Sequence, residues 1–133
     1  MKKIILYCCI LVSVAMADFK SITTQELETA MKNGVTIIDI RREDEFKQLG
    51  IIQGSHKLTF FDDNGNYNVE QWMNKFTKIV KNKNQPFVLV CARANRTKVV
   101  GKMLSEQARY KNVQELEGGI THGWIFKGKK TVK

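Results

Sequence analysis

Metal-binding and cross-linking residues are scarce in this chain, which has three cysteines and two histidines among 133 residues, and a single proline. His56 and His122 are distant from each other and from the cysteines, so no zinc-ligand spacing is present and no metal is expected. Asp62 to Asn68 (DDNGNYN) invites a calcium reading, but counted from Asp62 the sixth position is Tyr67 instead of glycine and the twelfth is Met73 instead of glutamate. Acidic residues are also in the minority, 13 against 22 Lys and Arg for a net charge of +9. The basic residues are scattered, as on a solvated surface, and the Lys127 to Lys133 tail (KGKKTVK) reads as a frayed end. This scatter argues against a nucleic-acid partner and is compatible with a small anionic substrate. The apolar run from Ile4 to Val14 is short of the about 20 residues that cross a bilayer comfortably.

That run has the layout of a secretory signal. Lys2 and Lys3 precede it, and Ala15-Met16-Ala17 supplies small residues at the two positions a signal peptidase reads. The expected division is a signal peptide over 1–17 and one domain over 18–133, periplasmic or secreted and free of the membrane after cleavage. Losing Lys2 and Lys3 lowers the charge from +9 to +7. Cys8 and Cys9 leave with the signal, because Ile5-Leu6-Tyr7 lacks the small residue that lipid attachment requires. Cys91 is then the sole thiol and has no disulfide partner. It is either an inert core residue or a reactive one.

Strands and helices alternate along the rest. Thr23-Thr24-Gln25-Glu26 matches a capping box for a helix over 24–33, with Leu27, Ala30 and Met31 as its apolar stripe and Gly34 as its stop. Val35 to Ile40 (VTIIDI) reads as a strand covered on both faces, and the Asp39 charge near its end must be paired or near solvent. A short helix is expected over Glu43 to Gln48, stopped by Gly50, and a weaker strand over Lys57 to Phe60. Asn68 caps a helix carrying Val69, Trp72, Met73, Phe76, Ile79 and Val80 at helical spacing. Lys81 to Pro86 forms the turn into a Phe87 to Val90 strand. Val99, Val100, Met103, Leu104 and Ala108 share a face of a helix from about Arg96 to Tyr110, with Gly101 inside it. Val113 to Leu116 is a last strand, followed by a Glu117-Gly118-Gly119 turn and a helical turn at Thr121 to Trp124. The alternation predicts an α/β domain with a mostly parallel sheet of about five strands.

Cys91 directly follows the Phe87 to Val90 strand and starts the short loop Ala92-Arg93-Ala94-Asn95-Arg96 before a helix N-terminus. Sites in open parallel sheets form at the carboxyl ends of strands, where both Cys91 and Asp39 fall. An ordinary thiol is only a few per cent ionised at neutral pH, and lowering its pKa by about two units takes roughly 2.7 kcal/mol. A helix dipole supplies about 2 kcal/mol at best, so loop N–H groups and a guanidinium must contribute. Arg93 and Arg96 are the candidates, and Arg96, nearer the helix start, is favoured. A Cys-His hydrolase would need His56 or His122 beside Cys91, and neither is in an informative context.

Together these residues resemble a rhodanese-like domain. Three blocks carry the likeness: Ile37-Ile38-Asp39-Ile40-Arg41 with Glu45-Phe46; Val90 to Thr97; and Leu116 to Ile120 with Trp124. The resemblance implies a three-layer α/β/α fold and a sulfurtransferase without cofactor, acting alone or as a homodimer. Sulfane sulfur would pass from an anionic donor, thiosulfate or polysulfide, through a persulfide on Cys91 to a thiol or cyanide acceptor. Ala92, Arg93, Ala94, Asn95 and Arg96 would bind the donor and the persulfide, with Asp39 and Arg41 supporting the loop. Four residues separate Cys91 from Arg96. Cysteine phosphatases of related architecture use one more, which makes a cradle wide enough for phosphate. The alternatives are a non-catalytic binding or sulfur-sensing module and a phosphatase or arsenate reductase. Two departures stand out. Gly50 to Ser55 (GIIQGS) lacks the histidine and proline of the family's turn, and Ala94 occupies a position where glycine is common. If that position requires a positive φ, alanine is strained by about 1 kcal/mol.

Overall fold

A computed structural model describes residues 19–133, and the expected signal peptide lies outside them. No helix among the described residues is long and apolar enough to cross a membrane. The elements run β1 (Phe19–Ile22), α1 (Thr24–Lys32), β2 (Thr36–Asp39), α2 (Glu43–Leu49), β3 (His56–Lys57), α3 (Val69–Ile79), β4 (Phe87–Val90), α4 (Asn95–Lys102), β5 (Val113–Leu116) and α5 (Gly119–Gly123). The five strands form one sheet in the order β1-β5-β4-β2-β3, every neighbouring pair parallel. Helices cover both sides, giving the three-layer α/β/α arrangement.

β4 lies in the middle of the sheet and is buried throughout, as its unbroken apolar sequence requires. Its alternate residues serve two cores. Phe87 and Leu89 pack with Trp72 and Phe76 of α3 and Val100 of α4, whereas Val88 and Val90 pack with Leu27 of α1 and Ile120 of α5. Trp72 and Phe76 stack at 4.9 Å, and the Trp72 indole donates to the Leu58 carbonyl at 2.9 Å. Burying such an aromatic ring contributes about 3 kcal/mol. Thr23 closes the capping box of α1 with Glu26, and the Asn68 side chain accepts from the Gln71 N–H at 3.0 Å to start α3.

Several expectations are corrected. β1 is an additional strand with no clear sequence signal, because only Ile22 of its four residues is buried and an edge strand needs little apolar alternation. β3 is shorter than expected, although Leu58 and Phe60 still donate to the Asp39 and Ile40 carbonyls. Helix α4 is followed by one wide turn over Met103–Gln107 and stops before Tyr110, where Arg109 takes a φ of +63° so that Tyr110 turns into the core. Val99 is exposed, since Val100 and Leu104 face the sheet and Val99 lies about 100° further round the helix. Gly101 is required there because a Cβ would meet the Phe19 ring. The basic tail is not frayed: Ile51 and Val132 exchange backbone hydrogen bonds at 2.8 and 2.9 Å, and the Trp124 indole donates to the Lys130 carbonyl.

Candidate functional site

The alternation of β4 decides where the thiol goes. Cys91 continues the Phe87 and Leu89 face, so its side chain is buried on the α4 side, about 1% exposed. Its Sγ lies 3.5 Å from Thr97 Oγ1 in the first turn of α4. The loop backbone is held from the opposite side, where the Ile120 N–H donates to the Cys91 carbonyl at 2.9 Å and the Thr121 N–H to the Ala92 carbonyl at 3.1 Å. Gly118 and Gly119, at φ of +76° and +64°, allow this close approach. With its carbonyls anchored to α5, the loop keeps its amides available: among the described residues no protein acceptor takes the N–H groups of residues 92–96. Ala94 has φ +64° and ψ +17° and caps α4. The strain foreseen for alanine there is therefore present, at about 1 kcal/mol.

Three ion pairs surround the thiol. Asp39 and Arg41, both fully buried, meet at 2.7 Å through Arg41 Nη2, and Arg41 Nε also donates to the same carboxylate at 3.0 and 3.1 Å. Arg41 Nη2 further donates to the Gly50 carbonyl at 2.7 Å, fastening the turn that lacks the family's histidine and proline. Burial pushes the Asp39 carboxyl above its ordinary range, against the hydrogen bonds and charge of Arg41. Arg96 forms a two-pronged pair with Glu45 of α2, at 2.6 and 2.8 Å. Lys98 reaches Glu115 of β5 at 2.9 Å.

The Glu45 pair alters the reading of the two arginines. Arg96 commits both terminal nitrogens to Glu45 and anchors the loop to α2, whereas Arg93 is exposed and has no hydrogen-bond or ion-pair partner among the described residues. The two arginines thus differ in what holds them: Arg96 is tied to Glu45, and the Arg93 guanidinium is directed to solvent. Thr97, Glu45 and Glu115 are the residues that sequence reasoning passed over in assigning the site. Glu115 carried a usable signal, since it shares the inward alternation of Val113 where an apolar side chain belongs. His122 packs edge-on against Phe126 and His56 is exposed; neither is hydrogen-bonded to Cys91.

Burial works against the Glu45 carboxylate, but hydrogen bonds from Arg96 and the Arg42 N–H, with the charges of both arginines, outweigh it and hold the carboxyl below its ordinary range. A depressed carboxyl stabilises the fold above its unfolded pKa and loses that contribution as the pH falls through its folded value. Glu45→Gln should therefore cost about 1 kcal/mol at neutral pH. In urea titrations, its deficit relative to wild type should close as the pH drops below the carboxylate range; a deficit that is constant with pH would contradict the assignment.

Among the described residues, the arrangement offers a buried thiol, unclaimed loop amides and an unpaired guanidinium at the carboxyl end of the central strand. Solved structures with a similar fold are known. A rhodanese-related protein from Thermoplasma volcanium is 22% identical, with a TM-score of 0.64, covering 85% of this chain and 97% of that one. The polysulfide-sulfur transferase homodimer from Wolinella succinogenes is 21% identical, with a TM-score of 0.65 over 89% and 81% of the two chains. A protein of unknown function from Rhodopseudomonas palustris, described as a possible tyrosine phosphatase, is 24% identical, with a TM-score of 0.62 over 89% and 88%. No curated protein matches the chain. Residues 23–124 match the family described as Rhodanese-like domain, a span that contains the Cys91 loop, the Asp39–Arg41 pair and the Gly-Gly element, and the chain belongs to that family.

Proposed function

We propose that this protein is a sulfurtransferase that carries sulfane sulfur as a persulfide on Cys91. The observation that supports this reading best is the loop itself: Cys91 stands at its head, and among the described residues the N–H groups of residues 92–96 have no protein acceptor. Those amides and the positive end of α4 suit a charged sulfur one bond beyond Sγ. In the reaction, the Cys91 thiolate attacks the outer sulfur of thiosulfate and breaks its S–S bond. Sulfite leaves with the bonding electron pair, and the negative charge of the new persulfide rests on its terminal sulfur, facing the amides. A thiol or cyanide acceptor then takes that sulfur and returns the thiolate. Arg93 receives the anionic donor, while Arg96, fastened to Glu45, holds the loop in shape. Asp39 and Arg41 support the loop from β2. On this reading residues 1–17 are a signal peptide, and the mature protein works in the periplasm or outside the cell.

The four-residue separation of Cys91 and Arg96 favours a sulfur atom over the larger phosphate, which sets this proposal against the phosphatase alternative. The test is intact mass spectrometry of reduced protein incubated with thiosulfate or polysulfide. One added sulfur atom that cyanide removes is expected, and none in Cys91→Ser. An unchanged mass with both donors would indicate a non-catalytic module instead, and Cys91-dependent turnover of an aryl phosphate would indicate a phosphatase. In the same assay Arg93→Ala should raise the KM for thiosulfate about tenfold, the scale of one hydrogen bond to a charged group, while Arg96→Ala should mainly lower kcat.

A further inference from the structure

Glu115 is a fully buried carboxylate on the same side of the sheet as Cys91, in register with Leu89 of β4 and Ser21 of β1. Its cation is Lys98 of α4, which also donates to the Ala94 carbonyl and is about half exposed. Its second donor is Thr97, whose hydroxyl reaches Glu115 Oε1 at 3.2 Å and is also the group 3.5 Å from Cys91 Sγ. A hydroxyl has one proton. A carboxylate only accepts, so the proton of Thr97 goes to Glu115, and Thr97 presents a lone pair to the sulfur. That arrangement accepts a hydrogen bond from an S–H and repels a thiolate.

From this geometry we propose that Glu115 is a positioning residue. Acting through Thr97, it disfavours the Cys91 thiolate relative to both the thiol and the persulfide. When Cys91 ionises, Thr97 must either face the anion with a lone pair or swing its proton to sulfur and abandon Glu115. In the persulfide neither conflict arises, because Sγ is then a neutral bridging sulfur and the charge sits one bond away at the loop amides. The sulfur-loaded state is thereby favoured over the free thiolate, which limits side reactions of the thiol between turnovers. Of the other charged groups around Cys91, Arg96 of α4 is paired with Glu45 of α2 and Asp39 of β2 with Arg41 just beyond it, while Arg93 of the loop is exposed and has no partner among the described residues. Glu115 and its Lys98 partner are therefore the pair that reaches the sulfur through a shared hydroxyl. The proposal deepens the sulfur-transfer reading and rests on it for its consequence.

The experiment is the pH profile of Cys91 alkylation by iodoacetamide in the full protein. In Glu115→Gln the amide can donate to Thr97 Oγ1 and free the hydroxyl proton for sulfur. Alkylation at neutral pH should rise about tenfold, the scale of one hydrogen bond to a charged sulfur, with the profile displaced by about one unit to lower pH. In a Thr97→Val background most of that gain should vanish. Lys98→Gln, at a half-exposed position, should slow alkylation because Glu115 then has no cation. A merely loosened fold would raise the rate without moving the profile, and that result, or slower alkylation in Glu115→Gln, would overturn the proposal. If Glu115→Gln does not fold, an unchanged rate in Lys98→Gln overturns it instead. Alkylation reads the thiol and not sulfur transfer, so this proposal and the sulfurtransferase reading can fail separately.

Discussion

Asp39→Ala is expected to destabilise the protein by about 3–5 kcal/mol, because it leaves the Arg41 guanidinium buried without its counter-ion. Arg41 is fully buried, and among the described residues its only ionic partner is the Asp39 carboxylate, which accepts three contacts from its Nε and Nη2. The carbonyls of Glu45 and Gly50 that also accept from it are neutral. Equilibrium urea unfolding measures the loss. The double variant Asp39→Ala, Arg41→Met should recover most of it, since removing both charges also removes the desolvation each required. A loss below about 1 kcal/mol in the single variant would show that water reaches Arg41 and that the pair is not the buried strut described above.

Gly119→Ala should combine a moderate loss of stability with a large loss of sulfur loading. At φ +64° an alanine costs about 1 kcal/mol. A Cβ there would lie 2.5 Å from the Ala92 carbonyl carbon and 2.6 Å from the Arg93 nitrogen, both backbone atoms that cannot swing aside. Overpacking of this kind adds about 1–3 kcal/mol. The loop relieves the clash by moving away from α5, which breaks the Ile120 and Thr121 hydrogen bonds to the Cys91 and Ala92 carbonyls. A displacement near 1 Å costs about 100-fold in rate, so the single-turnover rate of persulfide formation should fall on that scale. Gly34→Ala is the control. It has a similar positive φ but nothing within 4 Å of the added carbon, so it should cost only the backbone strain and leave sulfur loading intact.

Much of the fold was legible along the chain. The capping box at Thr23, the Asn68 cap, the helical spacing of Trp72 and Phe76 and the apolar run of β4 all express local physics, in which a residue and its neighbours within one turn or one pleat decide the outcome. The edge strand β1 escaped because it buries a single side chain. The docked tail escaped because its partners, Leu49 and Ile51, lie some eighty residues earlier.

The sequence by itself determined that a parallel α/β domain places Cys91 between a central strand and a helix start, with four residues before Arg96. It also marked Ala94 as the position where a positive φ would be strained. What only the tertiary structure decided is the allocation of charge and protons around that thiol. Arg96 is spent on Glu45, 51 positions away, Arg93 is left without a partner among the described residues, and Thr97 is spent on Glu115, 18 positions away. The physical reason is that an ion pair or a shared hydroxyl proton depends on which elements the crossovers bring side by side. Spacing along one helix or strand carries no record of that.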